Sequence, residues 1–482
     1  MFSDFSLLSM TSVILTWFAI VALVLFVPRN RKPTSAIAWL LVIFFLPIVG
    51  LVLFVLIGSP KLSKKRVQQQ EEINIKLANY RKEDVTRLHL KSNEKARYKQ
   101  LINLTESLGG LPVTGAEKIT VLPNYNKAIN RIVEAITKAE KTVFLEYFIL
   151  ALDDTTQPVF DAMKAATQRG VEVRVLFDSF GSKSYPRFSE MKQLLSDSGV
   201  SWQPMLPINL RPSKYNRPDL RNHRKIVTID NNVGFIGSQK MIDRTYHRKD
   251  SIYYDELVAE VHGQAALHMS VVFASDWYFE TGDFIEFEES SNKQSTRKQQ
   301  IPTQILPSGS TYDLENNAIV FTELIHAAKK SIVITNPYFV PNEPLLNAII
   351  AAVKKGVQVK ILNSKAMDQW MVGHAMRSFY MQLLQHGIEI YLFKEPKLLH
   401  SKHITIDDDI AVIGSSNMDI RSFELNLECT MIVYDKDTVA KLHQVQRKDI
   451  ANSKQVSLIE WSQRGFWKEF RDSLARLTAA LQ

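Results

Sequence analysis

The chain has 482 residues, 45% of them hydrophobic and 23% charged, which excludes a disordered polymer and is too long for one ordinary domain. Its formal net charge of +9, with a pI near 9.2, points to an anionic partner, either nucleic acid or an acidic lipid surface. A single cysteine, Cys429, excludes an intrachain disulfide framework, and its apolar, strand-like surroundings predict a buried, inert thiol.

Residues 7–27 form a nearly unbroken apolar run without charge, long enough to cross a bilayer. No Lys or Arg precedes it and no small-x-small cleavage site ends it, so a signal peptide is not expected. A basic turn, residues 28–35, leads to a second apolar run, residues 36–57, interrupted only by Pro47 and Gly50. Residues 1–60 therefore read as a two-helix transmembrane hairpin. Arg29, Arg31 and Lys32 lie in its turn, but the larger basic cluster, Lys61, Lys64, Lys65 and Arg66, follows the second run and favours a body on the cytoplasmic face. Residues 61–117 read as a charged, solvated helical stalk, broken near its end by Gly109, Gly110 and Pro112.

The body is an internal duplication. Residues 161–176 match residues 347–362 without a gap at an offset of 186. Each copy is an amphipathic helix, a glycine cap (Gly170, Gly356) and an alternating valine-rich strand, preceded by another helix and strand. An α/β sheet is expected in each half, at residues 118–287 and 301–455, with the polar stretch 288–300 as a linker. The C-terminal segment, residues 456–482, carries Phe466, Phe470, Leu474, Leu477 and Leu481 on one helix face, with Arg464, Lys468, Arg471 and Arg476 beside them. Packing of that stripe on the body is the expectation, and burial in a headgroup layer is the alternative.

Chemistry enters with a pattern that occurs twice. His223, Lys225 and Asp230 recur as His400, Lys402 and Asp407, and 14 residues after each histidine comes a Gly-Ser pair, Gly237-Ser238 and Gly414-Ser415. On a strand a His and a Lys two apart share a face. One imidazole can attack phosphorus while the other exchanges a proton with the leaving and entering oxygens. The lysines offset the charge of the phosphate, and the Gly-Ser turns, with Asn417, offer it Ser238, Ser415 and backbone N–H groups. Asp255 and Glu428 follow the two motifs on strand-like segments and are candidates to orient the imidazoles. Two halves with one motif each predict a single shared site on a pseudo-two-fold axis. Residues 209–224 hold Arg211, Lys214, Arg217, Arg221 and Arg224, read as a basic rim before the first motif, with a solvated loop as the alternative. Neither a P-loop nor a metal-ligand cluster is visible, so no cofactor or metal is expected.

HRKIVTID with its Gly-Ser, and HSKHITID with GSSN, resemble the paired H-x-K-D signatures of the phospholipase D superfamily, and within it the bacterial cardiolipin synthases. The apolar segment from Pro33 to Gly58, EYF around Glu146, NPYFVP from Asn336 and NMDIRSFELNLE from Asn417 resemble segments of that family, so the likeness runs from the first apolar run to about Asp435. It implies two duplicated phospholipase D-like halves with His223, Lys225, Asp230, His400, Lys402 and Asp407 as catalytic residues and His223 as the nucleophile. It further implies a multi-pass bacterial inner-membrane enzyme that converts two phosphatidylglycerol molecules into cardiolipin and glycerol at an anionic bilayer, without nucleic acid. A hydrolase using water, or a transferase using another alcohol, shares the same residues; the resemblance does not address oligomeric state. One position departs: the family turn reads G-S-x-N, but the first half has Lys240 where the second has Asn417.

Overall fold

The computed structural model describes residues 24–29, 31–58, 92–208, 216–246, 252–287, 300–312 and 314–478, with isolated positions between 68 and 88. The chain divides into two units, residues 1–63 with 209–219, and residues 64–208 with 220–482. In the first, helices Pro33–Phe45 and Pro47–Leu53 are followed by a π-helical turn, Phe54–Gly58. Pro47 forces Leu46 out of helical geometry (φ −134°, ψ 70°), so the second apolar run is not one continuous helix. Among the described residues no helix is long and apolar enough to cross a membrane, and nearly all of the run 7–27 lies outside them.

The second unit carries one mixed sheet. Its strands in chain order are β1 (Thr114–Leu122), β2 (Thr142–Tyr147), β3 (Glu172–Asp178), β4 (Ser201–Met205), β5 (Lys225–Ile229), β6 (Val233–Gly237), β7 (Tyr253–Asp255), β8 (Val258–Gly263), β9 (Ile301–Ser308), β10 (Ser331–Thr335), β11 (Gln358–Ser364), β12 (Glu389–Phe393), β13 (Lys397–Leu399), β14 (His403–Ile406), β15 (Ile410–Gly414), β16 (Glu428–Val433) and β17 (Ser453–Gln455). All but β7 and β13 join in the order 17-12-11-10-14-15-16-9-1-8-6-5-2-3-4. The order reads alike outward from its centre: β1-β8-β6-β5-β2-β3-β4 on one side matches β9-β16-β15-β14-β10-β11-β12 on the other. The duplication is thus joined where β1 and β9 pair antiparallel, Thr114 opposite Thr303.

Local chemistry explains the repeated units. Helices Gln157–Gln168 and Glu343–Lys354 bury one face each, then end at Gly170 (φ +86°) and Gly356 (φ +90°), a backbone state that favours glycine. Beneath the joined centre, Phe144, Ile226, Phe273, Ile413, Cys429 and Val433 share one apolar cluster drawn from both halves. Cys429 is fully buried there, and burial pushes its thiol up to about 12.

Two expectations change, and a third falls outside the described residues. Helix Ser92–Ser107 lies in the expected solvated stalk, yet Leu101, Ile102 and Thr105 are buried with the second half's core, and β1 already begins at Thr114. The linker 288–300 lies outside the described residues except for Gln300. Helix Phe466–Leu477 contradicts the packing expectation for its apolar stripe. It docks through Asp472 and Ala475, with Asp472 accepting from Arg464 (2.5 Å) and meeting His374 Nδ1 at 2.6 Å. The stripe faces out: Phe466 is 69%, Trp467 77% and Leu477 80% exposed.

Candidate active site

Each motif histidine stands just before a strand flanked by backbone from the other half. Leu399 pairs with Asp255 where β13 meets β7, so His400 follows directly and donates its N–H to the Asp255 carbonyl at 2.8 Å. An isolated bridge between Asn222 and Leu427 does the same for His223, whose N–H donates to the Leu427 carbonyl at 2.8 Å. These bridges place a carboxylate from the opposite half behind each imidazole. Glu256 Oε1 lies 2.7 Å from His400 Nδ1, and Glu428 Oε1 lies 2.8 Å from His223 Nδ1. With Nδ1 engaged as the donor, each Nε2 is left with its lone pair.

The two lysines fold back under their histidines. Lys402 Nζ donates to the His400 carbonyl at 2.7 Å and lies 3.3 Å from the His400 ring nitrogens, while Lys225 Nζ donates to the His223 carbonyl. Both are buried without a carboxylate in an ion pair among the described residues, leaving ammonium N–H groups for an anion. Burial, reinforced by the neighbouring lysines, holds both imidazoles well below the ordinary histidine range and favours their neutral form. Burial also lowers Lys402 to about 8 and pushes Glu256 up to about 7 and Glu428 up to about 8. Aromatic edges close the site: Phe148 lies 5.2 Å from His223 between ring centres, and Tyr254 and Tyr338 lie 5.4 and 5.8 Å from His400. Both tyrosine hydroxyls donate to Asp368, at 2.9 Å and 2.7 Å.

Residues 132–277 and 321–450 match the family described as cardiolipin synthase, PLD-like domain, and residues 14–59 match a phospholipase D-nuclease N-terminal family. The chain belongs to the cardiolipin synthase family of the phospholipase D superfamily. Cardiolipin synthase A of Wigglesworthia glossinidia brevipalpis is 32% identical over 452 residues, covering 91% of this chain and 90% of that one. Its counterpart in Pectobacterium carotovorum subsp. carotovorum is 30% identical over 460 residues, covering 92% of each. Among solved structures, phosphatidylserine synthase of Haemophilus influenzae Rd KW20 shares the fold, with a TM-score of 0.60 at 15% identity over 80% of this chain and all of that one.

Within this cardiolipin synthase fold several residues stand elsewhere than the sequence reading placed them. Asp230 and Asp407 are not at the histidines. Each ends its strand and accepts three backbone N–H bonds, from Glu140, Lys141 and Thr142 (2.9, 2.7 and 2.8 Å) and from Lys329, Lys330 and Ser331 (3.1, 2.7 and 3.1 Å). Asp255 is replaced as His400's carboxylate by its neighbour Glu256; Asp255 lends only its carbonyl and lines a cavity of ≈ 550 Å³ with Asp449 and Lys397. The alternation D-E-L against L-E-C, aligned on the histidine contacts, is the signal that identifies Glu256 with Glu428.

Ser415 does not wait for substrate. Its hydroxyl donates to Glu428 Oε2 at 2.5 Å, and Ser422 donates to Oε1 at 2.9 Å. Ser238 bonds the Leu257 N–H (3.0 Å) and carbonyl (3.3 Å). The serines therefore brace the Glu-bearing strands, which approach so closely that a Cβ on Gly237 or Gly414 would meet the Leu257 or Cys429 carbonyl oxygen at 2.2 or 2.6 Å. Asn417 keeps a buried Oδ1 with no protein partner among the described residues. The basic rim loses two members: Arg221 is buried on Asp178 at 3.2 Å and Arg224 is buried on Asp276. Arg217 pairs with Asp219 at 2.5 Å, and Arg211 and Lys214 lie outside the described residues.

Proposed function

We propose that this protein joins two phosphatidylglycerol molecules into cardiolipin and glycerol through a phosphohistidine. The observation that carries the reading is the crossed pairing of each histidine with the other half's glutamate, which makes one two-histidine site from two halves. His223 Nε2 attacks phosphorus, the P–O bond to glycerol breaks, and the departing oxygen takes a proton held by the His400–Glu256 pair. In the second step a primary hydroxyl of another phosphatidylglycerol gives its proton to His400 as its oxygen bonds phosphorus. The P–N bond breaks and His223 is restored. Glu428, fixed by two serine hydroxyls, supports His223 as nucleophile, and Lys225 and Lys402 face the non-bridging oxygens. One phosphodiester replaces another, so no energy-rich cofactor is required.

The two N-terminal apolar runs are read as the anchor of an inner-membrane enzyme whose body lies on the cytoplasmic face, and the outward stripe of helix Phe466–Leu477 as a second contact with an anionic bilayer. Product analysis on phosphatidylglycerol vesicles tests the reaction. Cardiolipin and glycerol should appear in equal amounts, and His223→Ala and His400→Ala should each abolish them. Phosphatidic acid as the main product would make the protein a hydrolase. Acid quenching should trap phosphate on His223; an adduct on His400 would exchange the two roles.

A further inference from the structure

One break in the symmetry of the duplication places an extra cation in the site. Lys240 occupies the position that Asn417 holds in the other half. It is only 7% exposed, its Nζ donates to the Tyr246 hydroxyl, and it sits 4.7, 5.5 and 5.9 Å from the ring centres of Tyr246, Tyr254 and Phe148. Phe148 abuts His223 and Tyr254 abuts His400, so the ammonium is one ring removed from each histidine. Among the described residues no carboxylate forms an ion pair with it. Aromatic faces attract a cation by much less than burying its charge costs. Glu256 and Asp368 act on it only from beyond ion-pair distance, so an anion in contact completes the site, and the phosphate on the histidine already faces Lys225 and Lys402.

We infer that Lys240 binds the phosphodiester of the acceptor phosphatidylglycerol, holding a second phosphate beside the one carried by the histidine. The inference rests on the cardiolipin-forming reading, since only an acceptor that is itself a phospholipid brings a second phosphate. The acceptor's glycerol separates its anchored phosphate from its attacking hydroxyl by three carbons, so fixing the one positions the other for attack on phosphorus. The hydroxyl proton passes to His400, the new O–P bond forms, and the P–N bond breaks. Water or free glycerol, which have no phosphate, gain nothing from Lys240.

The test compares two acceptors in one enzyme. Phosphatidylglycerol vesicles are supplied with labelled glycerol, and cardiolipin formation is measured beside label exchange into phosphatidylglycerol. Lys240→Asn, which restores the second half's residue, should lower the ratio of cardiolipin to exchange by about tenfold, equivalent to roughly 1.4 kcal/mol. Lys240→Arg should recover much of that ratio, and Lys240→Met, which keeps the aliphatic stem, should lose it as Asn does should the Asn variant fold poorly. An unchanged ratio, with both rates falling together or neither falling, overturns the inference and assigns Lys240 to the first phosphate or to packing. Failure of the broader reading looks different: the unaltered enzyme would exchange glycerol and form no cardiolipin at all.

Discussion

A nucleophilic histidine whose Nδ1 is held by a carboxylate is strongest while that carboxylate is charged. Burial lifts Glu428 to about 8, so lowering pH through this range neutralises the carboxylate that supports the nucleophile, and kcat/KM should fall. Burial lifts Glu256 to about 7, and above that value the His400–Glu256 pair sheds the proton that the leaving oxygen takes. Burial also lowers Lys402 to about 8, so raising pH above that value strips a positive charge from the phosphate site. A narrow bell between about pH 7 and 8 is expected for the free enzyme, measured on vesicles at constant ionic strength. Lys402→Arg should flatten the alkaline limb, because a guanidinium stays charged. A profile flat from about pH 6 to 9 would disconnect these groups from turnover. Glu256→Gln should cost about 10²-fold or more and Asp255→Asn far less; the reverse order would return Asp255 to the histidine. The histidines and lysines were legible in the sequence because their spacing repeats. Glu256 was not, because the contact that selects it over Asp255 crosses from one half to the other and exists only after folding.

At the scale of the element, the two hairpins β5–β6 and β14–β15 carry the motifs, and Asp230 and Asp407 fasten their far ends to the chain before β2 and β10. Both aspartates have left-handed backbones, φ 50° and 51°, which Asn tolerates well. Asp407→Asn therefore isolates the charge. Hydrogen bonds to a carboxylate contribute about 1.5–3 kcal/mol, so weakening three of them should lower the melting temperature by several degrees while kcat per folded molecule stays within about twofold. An unchanged melting temperature with a large loss of kcat would restore Asp407 to the chemistry. Helices and strands within each repeat were legible because residues 161–176 and 347–362 share one amphipathic pattern. The join of β1 to β9 was not, since strands separated by so much chain leave no local signal of which partner they take. The docking of helix Ser92–Ser107 was not legible for a related reason: Leu101, Ile102 and Thr105, buried among the described residues, stand in a segment rich in charge.

Across the whole molecule, the proposed reaction requires a basic chain to bring a two-histidine site to lipid headgroups, and the outward stripe of helix Phe466–Leu477 is the surface proposed for that contact. A helix that packs by its apolar stripe would leave its polar face in water. Here the order is inverted: Asp472, tied to Arg464 and His374, faces the protein, while Phe466, Trp467, Phe470, Leu474 and Leu477 face out. Phe466 and Phe470 stack at 6.0 Å between ring centres, forming a continuous aromatic patch with Trp467. Lys468 and Arg471 stand exposed on the same helix, and the chain's net charge is +9. Apolar side chains entering a headgroup layer gain about 25 cal/mol per Å² removed from water, and the cations add attraction to anionic lipid. Trp467→Glu combined with Leu474→Glu should therefore leave the fold intact, because neither side chain is buried. Activity in detergent micelles should stay within about twofold, while activity on phosphatidylglycerol bilayers should fall by about tenfold or more, matching a loss of at least roughly 1.4 kcal/mol of membrane affinity. Vesicle sedimentation measured alongside should show weaker binding in the same variant. Full bilayer activity with unchanged sedimentation would leave the outward stripe without a role at the membrane.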